Sequence, residues 1–373
     1  MNTKQQNSSL SGITVGETAI SSVGKTGFGL SYRGYNISDL AHNASFEEVC
    51  FLLIYKVLPS RKELIDFCER LRKRRKLPDE LQQILKLLPK NTHTMDVLRT
   101  AVSSLGCVEP ESAHNNEFLI FERLVAILPS ILLFWYHYHF SNIEINTESG
   151  HETIAEFFLS TLTQQQADKF NCKILTTSLI LYAEHEFNAS TFAARVTTST
   201  LSDLYSAVVS GIGTLRGKLH GGANEATMEL IEQFTSIAQA QQVIKQALLN
   251  KQLIMGFGHR VYKNADPRSA IMKQCAQDLA TKLDDKRYIA ISEKIEKIMQ
   301  QEKNLFPNLD FYSATAYHLM NIPNILFTPL FVCSRVAGWC AHIMEQRENN
   351  ELIRPNAEYI GPESKPWKTL DER

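Results

Sequence analysis

The stretch Phe46-Glu-Glu-Val-Cys-Phe-Leu-Leu-Ile-Tyr-Lys-Val-Leu-Pro-Ser-Arg-Lys-Glu-Leu-Ile-Asp-Phe-Cys-Glu-Arg-Leu71 decides the fold class. Phe46, Val49, Cys50, Leu53, Ile54 and Val57 recur at i, i+3 and i+4, which gathers them on one face of a helix. Ser60 and Glu63 form a Ser-x-x-Glu capping box, and the segment it opens turns Leu64, Ile65, Cys68 and Leu71 inward. Two consecutive helices follow, and the same period continues outward. Leu81, Ile84, Leu85 and Leu88 follow Pro78-Asp79, and Ile154, Phe157, Phe158 and Leu162 mark another helix. Asp266-Pro267 reads as an N-cap with proline in the first helical position, opening a run through about Lys282. Strand signals are confined to Ile13, Val15 and Ala19-Ile20 between glycines 12, 16 and 24, enough for a small hairpin. The expected class is all-α with a minor N-terminal β-hairpin.

The chain has 373 residues, 44% hydrophobic and 21% charged, enough for a large core and more than one small domain. Its formal charge of -1 provides no excess basic field, so nucleic acid is not expected as a partner, and the run Arg72-Lys-Arg-Arg-Lys76 reads as a solvated helix end. Seven cysteines without a C-x-x-C pair or zinc spacing read as free thiols in a reducing compartment. Met1 to Leu10 is polar and lacks the apolar core of a secretory leader, which points to the cytoplasm. Leu124 to Phe140 is free of charge but holds Pro129, His137 and His139. It reads as a helix buried on most sides, broken or kinked near Pro129, rather than as a membrane span.

Four segments combine histidine, carboxylate or arginine with glycine or helix starts: Ala183 to Ser190, Lys218 to Glu225, Gly256 to Tyr262, and Asn308 to Ser313. His220 precedes two glycines and a helix expected over Ala223 to Phe234. Near that N-terminus the imidazole is biased toward its neutral form and can donate to a developing enolate. A helix-capping or core role would place a histidine there equally well. His259 lies between Gly258 and Arg260, seven residues before Asp266-Pro267-Arg268, so that a dicarboxylate could bridge His259 and Arg268; a purely structural loop has the same composition. Asp310 sits in an apolar setting just before a helix, as a desolvated base or as an N-cap. Arg335 falls on the apolar helix from Leu330 to about Met344, where a buried guanidinium needs an anion. Arg354 precedes Pro355 in the tail. No H-E-x-x-H is present, so no metal site is expected, and neither a Walker loop nor a Rossmann glycine motif occurs.

In this order, these segments resemble the active-site signature of the citrate synthase family, and the likeness runs from Gly29-Leu-Ser-Tyr-Arg-Gly-Tyr to Ile353-Arg-Pro-Asn-Ala-Glu-Tyr-Ile-Gly-Pro362. Glu184 to Phe192, Leu219 to Glu225, Phe327-Thr-Pro-Leu-Phe331 and Ala341 to Gln346 are similar to the family's 2-methylcitrate synthase branch. The resemblance implies a citrate synthase-like two-domain helical fold, with 1–219 and 317–373 in a large domain and 220–316 in a small domain that closes over the site. It implies a Claisen-type condensation of propionyl-CoA with oxaloacetate followed by thioester hydrolysis, with some activity toward acetyl-CoA. An acetyl-CoA-preferring citrate synthase and a non-catalytic sensor of CoA esters or tricarboxylates are the competing readings. By the same resemblance His220, His259 and Asp310 are catalytic, and His185, Arg268, Arg335 and Arg354 bind carboxylates, the last across a homodimer interface. Lys251, Gln252, Leu253, Ile254 and Met255 form the coenzyme A loop. No cofactor is implied, because the coenzyme A thioester is a substrate.

Overall fold

The computed structural model describes residues 10, 12–24 and 29–373. Residues 1–9, on which the reading of the chain's start rests, lie outside them. Three short strands, β1 (Ser21–Val23), β2 (Leu30–Tyr32) and β3 (Tyr35–Asn36), form an antiparallel sheet in the order β1-β2-β3. The helices follow: α1 (Ile37–Asn43), α2 (Phe46–Tyr55), α3 (Arg61–Lys73), α4 (Asp79–Leu87), α5 (Thr94–Val108), α6 (Glu117–Tyr136), α7 (Ile154–Thr163) and α8 (Lys169–Tyr182). They continue as α9 (Ala189–Ser199), α10 (Leu204–Leu215), α11 (Ala223–Glu232), α12 (Ile237–Leu249), α13 (Pro267–Lys282), α14 (Arg287–Lys303), α15 (Leu309–Leu319) and α16 (Phe327–Glu348). The last 23 residues, 351–373, are largely extended and exposed.

The sheet differs from the expected hairpin in place and size. Ile13 and Val15 are exposed, so their alternation faces no core. The strands lie further on, where buried Tyr32 pairs with Tyr35 across Arg33 and Gly34. Both turn residues have positive φ, 48° and 89°, the two-residue turn whose twist suits a hairpin.

The helical reading holds with local corrections. Both capping boxes form, at Ser45/Glu48 and at the expected Ser60/Glu63. α2 ends at Tyr55 with Lys56 left-handed, so Val57 falls outside it and is exposed. On α3 the buried residues are Phe67 and Leu71, while Ile65 points to solvent, because the face is set by the contact with α2 and α6 rather than by local hydrophobicity. Asp266 caps α13 as expected, its carboxylate accepting from Arg268 N–H, with Pro267 at the first helical position.

α6 runs unbroken through Pro129 and widens only at its end, into a π-helical turn over His137–Ser141. Glu117–Ser141 and Asn324–Glu348 are long and apolar enough to cross a membrane, but in an apolar 18-residue part of each, 83% and 94% is buried inside the protein. They are core helices: α16 packs against α2, α5, α6, α8, α9, α10 and α11. His137 and His139 are held by the carbonyls of Thr161 and Leu85.

The basic run is not a uniformly solvated helix end. Arg75 is fully buried, donating to the His151 carbonyl at 2.6 Å over the Phe157 ring. Arg74, with Arg70, clamps the buried Glu122. An unpaired carboxylate in the core of α6 would be costly, and these two guanidiniums meet that need.

Candidate active site

α11, α13, α14 and α15 pack on one another, and two loops between them carry site residues. In the first loop Gly256 and Gly258 adopt φ of 85° and 75°, and main-chain bonds tie them to the start of α15. Asn308 N–H donates to the Gly256 carbonyl at 2.9 Å and Gly258 N–H to the Phe306 carbonyl at 2.8 Å. His259 and Asp310 are thereby held in fixed relation although 51 positions separate them (310 minus 259). Asp266 adds a further tie. Its carboxylate grips Arg268 through both oxygens, at 3.0 and 2.8 Å, and accepts from Leu309 N–H at 3.2 Å.

Asp310 is not the cap of α15. Asn308 caps it, accepting from Asp310 N–H, and Asp310 occupies the first turn. Its Oδ1 accepts from the Tyr182 hydroxyl at 2.6 Å. Burial pushes its pKa above the usual carboxylate value, against the Tyr182 hydrogen bond and Arg268. A carboxylate so desolvated is a stronger base toward a carbon acid.

Two histidines are neutral, and their tautomers follow from their partners. His259 Nδ1 lies 3.0 and 3.3 Å from the N–H groups of Val261 and Tyr262, which can only donate. The ring proton is therefore on Nε2. His220 Nε2 receives Ser190 N–H at 3.2 Å, with the Ser190 hydroxyl 2.8 Å away, which leaves the proton on Nδ1. Burial lowers both pKa values to about 4, helped by Arg335 at His220 and Arg268 at His259. His185 is buried, its Nε2 3.1 Å from the Tyr262 hydroxyl and its ring 5.0 Å from that of His259. Burial, Arg268 and His259 hold its pKa well below the ordinary imidazole value.

These depressed values carry a stability consequence. Between pH 6.5 and 4 the unfolded chain binds protons that the folded His220 and His259 refuse, so stability present above pH 6.5 is lost as pH falls toward 4. The slope is at most about 1.4 kcal/mol per pH unit from His220 and less from the more open His259. Thermal melts across this range are expected to show a falling Tm, with a shallower slope in His220→Gln. An equal slope in that variant would contradict the assignment.

Arg335 is buried on α16, donates through Nε to the Tyr182 carbonyl at 2.7 Å, and lies over the Phe331 ring. Burial pulls its pKa down to about 10, with Glu184 opposing. Its charge acts on His185, His220 and Asp310, and that of Arg268 on His185, His259 and Asp310, so two guanidiniums sit amid all four groups. Arg354 is not among them. It lies in the exposed tail, bonded to Asn356. Lys251 to Met255 form a turn after α12, with Lys251 at φ 56°, Leu253 exposed and Ile254 buried.

The sequence reading missed Tyr182, Ser190, Tyr262 and the second role of Asp266. Ser190 and Tyr262 lay inside segments already singled out, so position in those motifs was the available signal. Tyr182 had none, since a tyrosine ending an apolar helix looks like core. Gly211 and Gly213 are helical in α10, and Gly211 gives room to the Trp339 ring.

A helical scaffold converging buried histidines and arginines on one desolvated carboxylate defines an enzyme that handles anionic substrates. The chain belongs to the citrate synthase family: residues 9–356 match the family model described as citrate synthase, C-terminal domain. It is accordingly an acyltransferase. A 2-methylcitrate synthase of Shewanella oneidensis is 49% identical over 352 residues, 94% of each chain. Citrate synthase 2 of Bacillus subtilis is 42% identical over 352 residues, 92% of this chain and 93% of the relative. The ternary complex of Thermoplasma acidophilum citrate synthase with carboxymethyl coenzyme A and oxaloacetate superposes with a TM-score of 0.90 at 31% identity, covering 98% of both chains.

Proposed function

We propose that the protein is a 2-methylcitrate synthase, condensing propionyl-CoA with oxaloacetate to give 2-methylcitrate and free CoA. The observation that carries the reading is the convergence of Asp310, His220 and His259 around Arg268 and Arg335, with the Shewanella relative supporting the propionyl donor. Asp310 removes a proton from the carbon next to the thioester. His220, through Nδ1–H, holds the thioester oxygen as the enolate forms. That carbon attacks the ketone of oxaloacetate, whose oxygen takes a proton from Nε2 of His259. Water then cleaves the thioester, releasing the CoA thiol and leaving a carboxylate.

His185, Arg268 and Arg335 bind the oxaloacetate carboxylates, joined by Arg354 of a second subunit in a homodimer. This agrees with the exposed tail that bears Arg354. Lys251, Gln252, Leu253, Ile254 and Met255 contact coenzyme A. No further cofactor takes part. Residues 220–316 form a small domain that closes over the substrates and keeps water from the enolate until the carbon–carbon bond has formed. All seven cysteines are free, which fits a cytoplasmic enzyme of propionate catabolism.

The Bacillus subtilis relative favours a second reading, citrate synthase with acetyl-CoA. One methylene discriminates by only about 1–3 kcal/mol, so turnover of both donors is expected at different efficiencies. A thiol-release assay with oxaloacetate and each donor decides between them. A kcat/KM ratio favouring propionyl-CoA supports the first reading, a ratio favouring acetyl-CoA the second, and no thiol from either ends both.

A further inference from the structure

The turn that presents His185 is built on a buried carboxylate for which the condensation has no direct use. Glu184 is fully buried. Its Oε1 accepts from Nε2 of His342 at 2.8 Å, from the Ser21 hydroxyl at 2.9 Å and from Glu186 N–H at 2.5 Å. Its Oε2 has no hydrogen-bond partner among the described residues and lies against the backbone of α16, where a Cβ on Gly338 would collide with it.

Nη1 of Arg195 lies 3.1 Å from His342 Nδ1, while the opposite ring nitrogen, Nε2, faces Glu184. Arg195 is itself balanced by Glu345 at 2.8 Å. Burial would raise the pKa of Glu184, but His342, Arg335 and the Ser21 hydroxyl together hold it below the usual carboxylate value, so it is ionised. Arg335 also acts on it, and stands one turn before Gly338 and two turns before His342 on the same stripe of α16. In return, Glu184 does most among the neighbouring groups to keep Arg335 charged. Among the described residues Arg335 has no carboxylate at ion-pair distance, so Glu184 acts through space rather than by contact.

We infer that Glu184 is a positioning and charge-balancing residue, which braces the His185 turn and offsets Arg335 so that the site does not hold its polycarboxylates too tightly. This rests on the reading of His185, Arg268 and Arg335 as carboxylate-binding. A dianionic substrate or trianionic product reaching Arg335 meets a guanidinium already partly compensated, and release of the product is eased. Binding substrate and product alike more tightly would lower KM without speeding the chemistry.

The test is calorimetric titration of oxaloacetate and citrate into the wild-type protein and the Glu184→Gln, Glu184→Ala and Glu184→Asp variants. Gln retains an Oε1 acceptor for the three donors and removes the charge, with its NH2 in the place of Oε2. It is expected to bind citrate about tenfold more tightly, the scale of one unit charge acting through a partly screened interior. Ala is expected to tighten binding as well, and Asp to restore wild-type affinity. A purely structural role predicts the opposite order, with affinity weakened in Gln and more so in Ala, and that result would overturn the inference. Failure of both neutral variants to fold would overturn it too, assigning Glu184 to the fold. A wild-type protein that binds neither ligand removes the functional reading itself, whereas wild-type binding without tightening in the variants removes only the role of Glu184.

Discussion

Asp310→Asn is expected to reduce turnover by about 10³-fold, within the range that a positioned general base contributes, while oxaloacetate affinity stays at the wild-type level. The substitution is close to isosteric, and its amide oxygen can still accept from the Tyr182 hydroxyl now 2.6 Å from Oδ1. The cap of α15 belongs to Asn308, so the helix keeps its start. What is lost is a basic oxygen. Stopped-flow or steady-state thiol release gives the rate, and calorimetry gives the affinity. Full activity in the variant would remove Asp310 from the role of base, and loss of oxaloacetate binding in step with turnover would make it a structural residue.

The largest effect on stability is expected from Gly338→Ala. A Cβ at this position would run into Glu184 Oε2 and into the Ala183 carbonyl, which is backbone and cannot swing away. Ala183 and Glu184 lead into the His185 turn, and Glu184 is anchored by three hydrogen bonds. Forcing apart backbone and helix in so dense a region is expected to cost about 3 kcal/mol or more, the upper part of the range for overpacked cores. Helix propensity works the other way by about 1 kcal/mol, because alanine is the better helix former. A denaturant midpoint above that of the wild type would show that the turn yields freely. Wherever the variant does fold, a raised KM for oxaloacetate is expected, since the displaced segment carries His185.

Most helices were legible because burial in this protein is local and periodic. Ile154, Phe157, Phe158 and Leu162 all lie inside, and Asp266-Pro267 opens α13 where the side-chain chemistry says it should. Reading failed where the partner surface, not the segment, decides orientation. Ile65 and Phe67 are equally apolar, and only the position of α2 and α6 selects the second. Pro129 looked like a break, but packing on most sides of α6 keeps the helix continuous despite one missing hydrogen bond. Of the two readings open for Asp310, the cap falls away because Asn308, two residues earlier, holds that position.

The candidate site was visible as four separate motifs because each contains residue types that a core has little reason to hold. The ties among them were not visible. Asp266 joins Arg268 to the start of α15, and main-chain bonds join Gly256 and Gly258 to Phe306 and Asn308. Glu184, His342, Arg195 and Glu345 form a buried polar chain across more than 150 positions, from 184 to 345, that no local window could assemble. Such contacts follow from the packing of α8, α9 and α16 rather than from spacing.

Ala19 N–H donates to Glu345 at 2.8 Å, and Ser21 to Glu184 at 2.9 Å. Ala19 thus finds one of its partners 326 positions later. The His185 turn cannot acquire its full bracing while α16 is still being made, and closing so wide a loop is among the slower steps open to a folding polypeptide. A folding chain therefore carries this centre unfinished until α16 is in place, and competence arrives at once rather than by degrees.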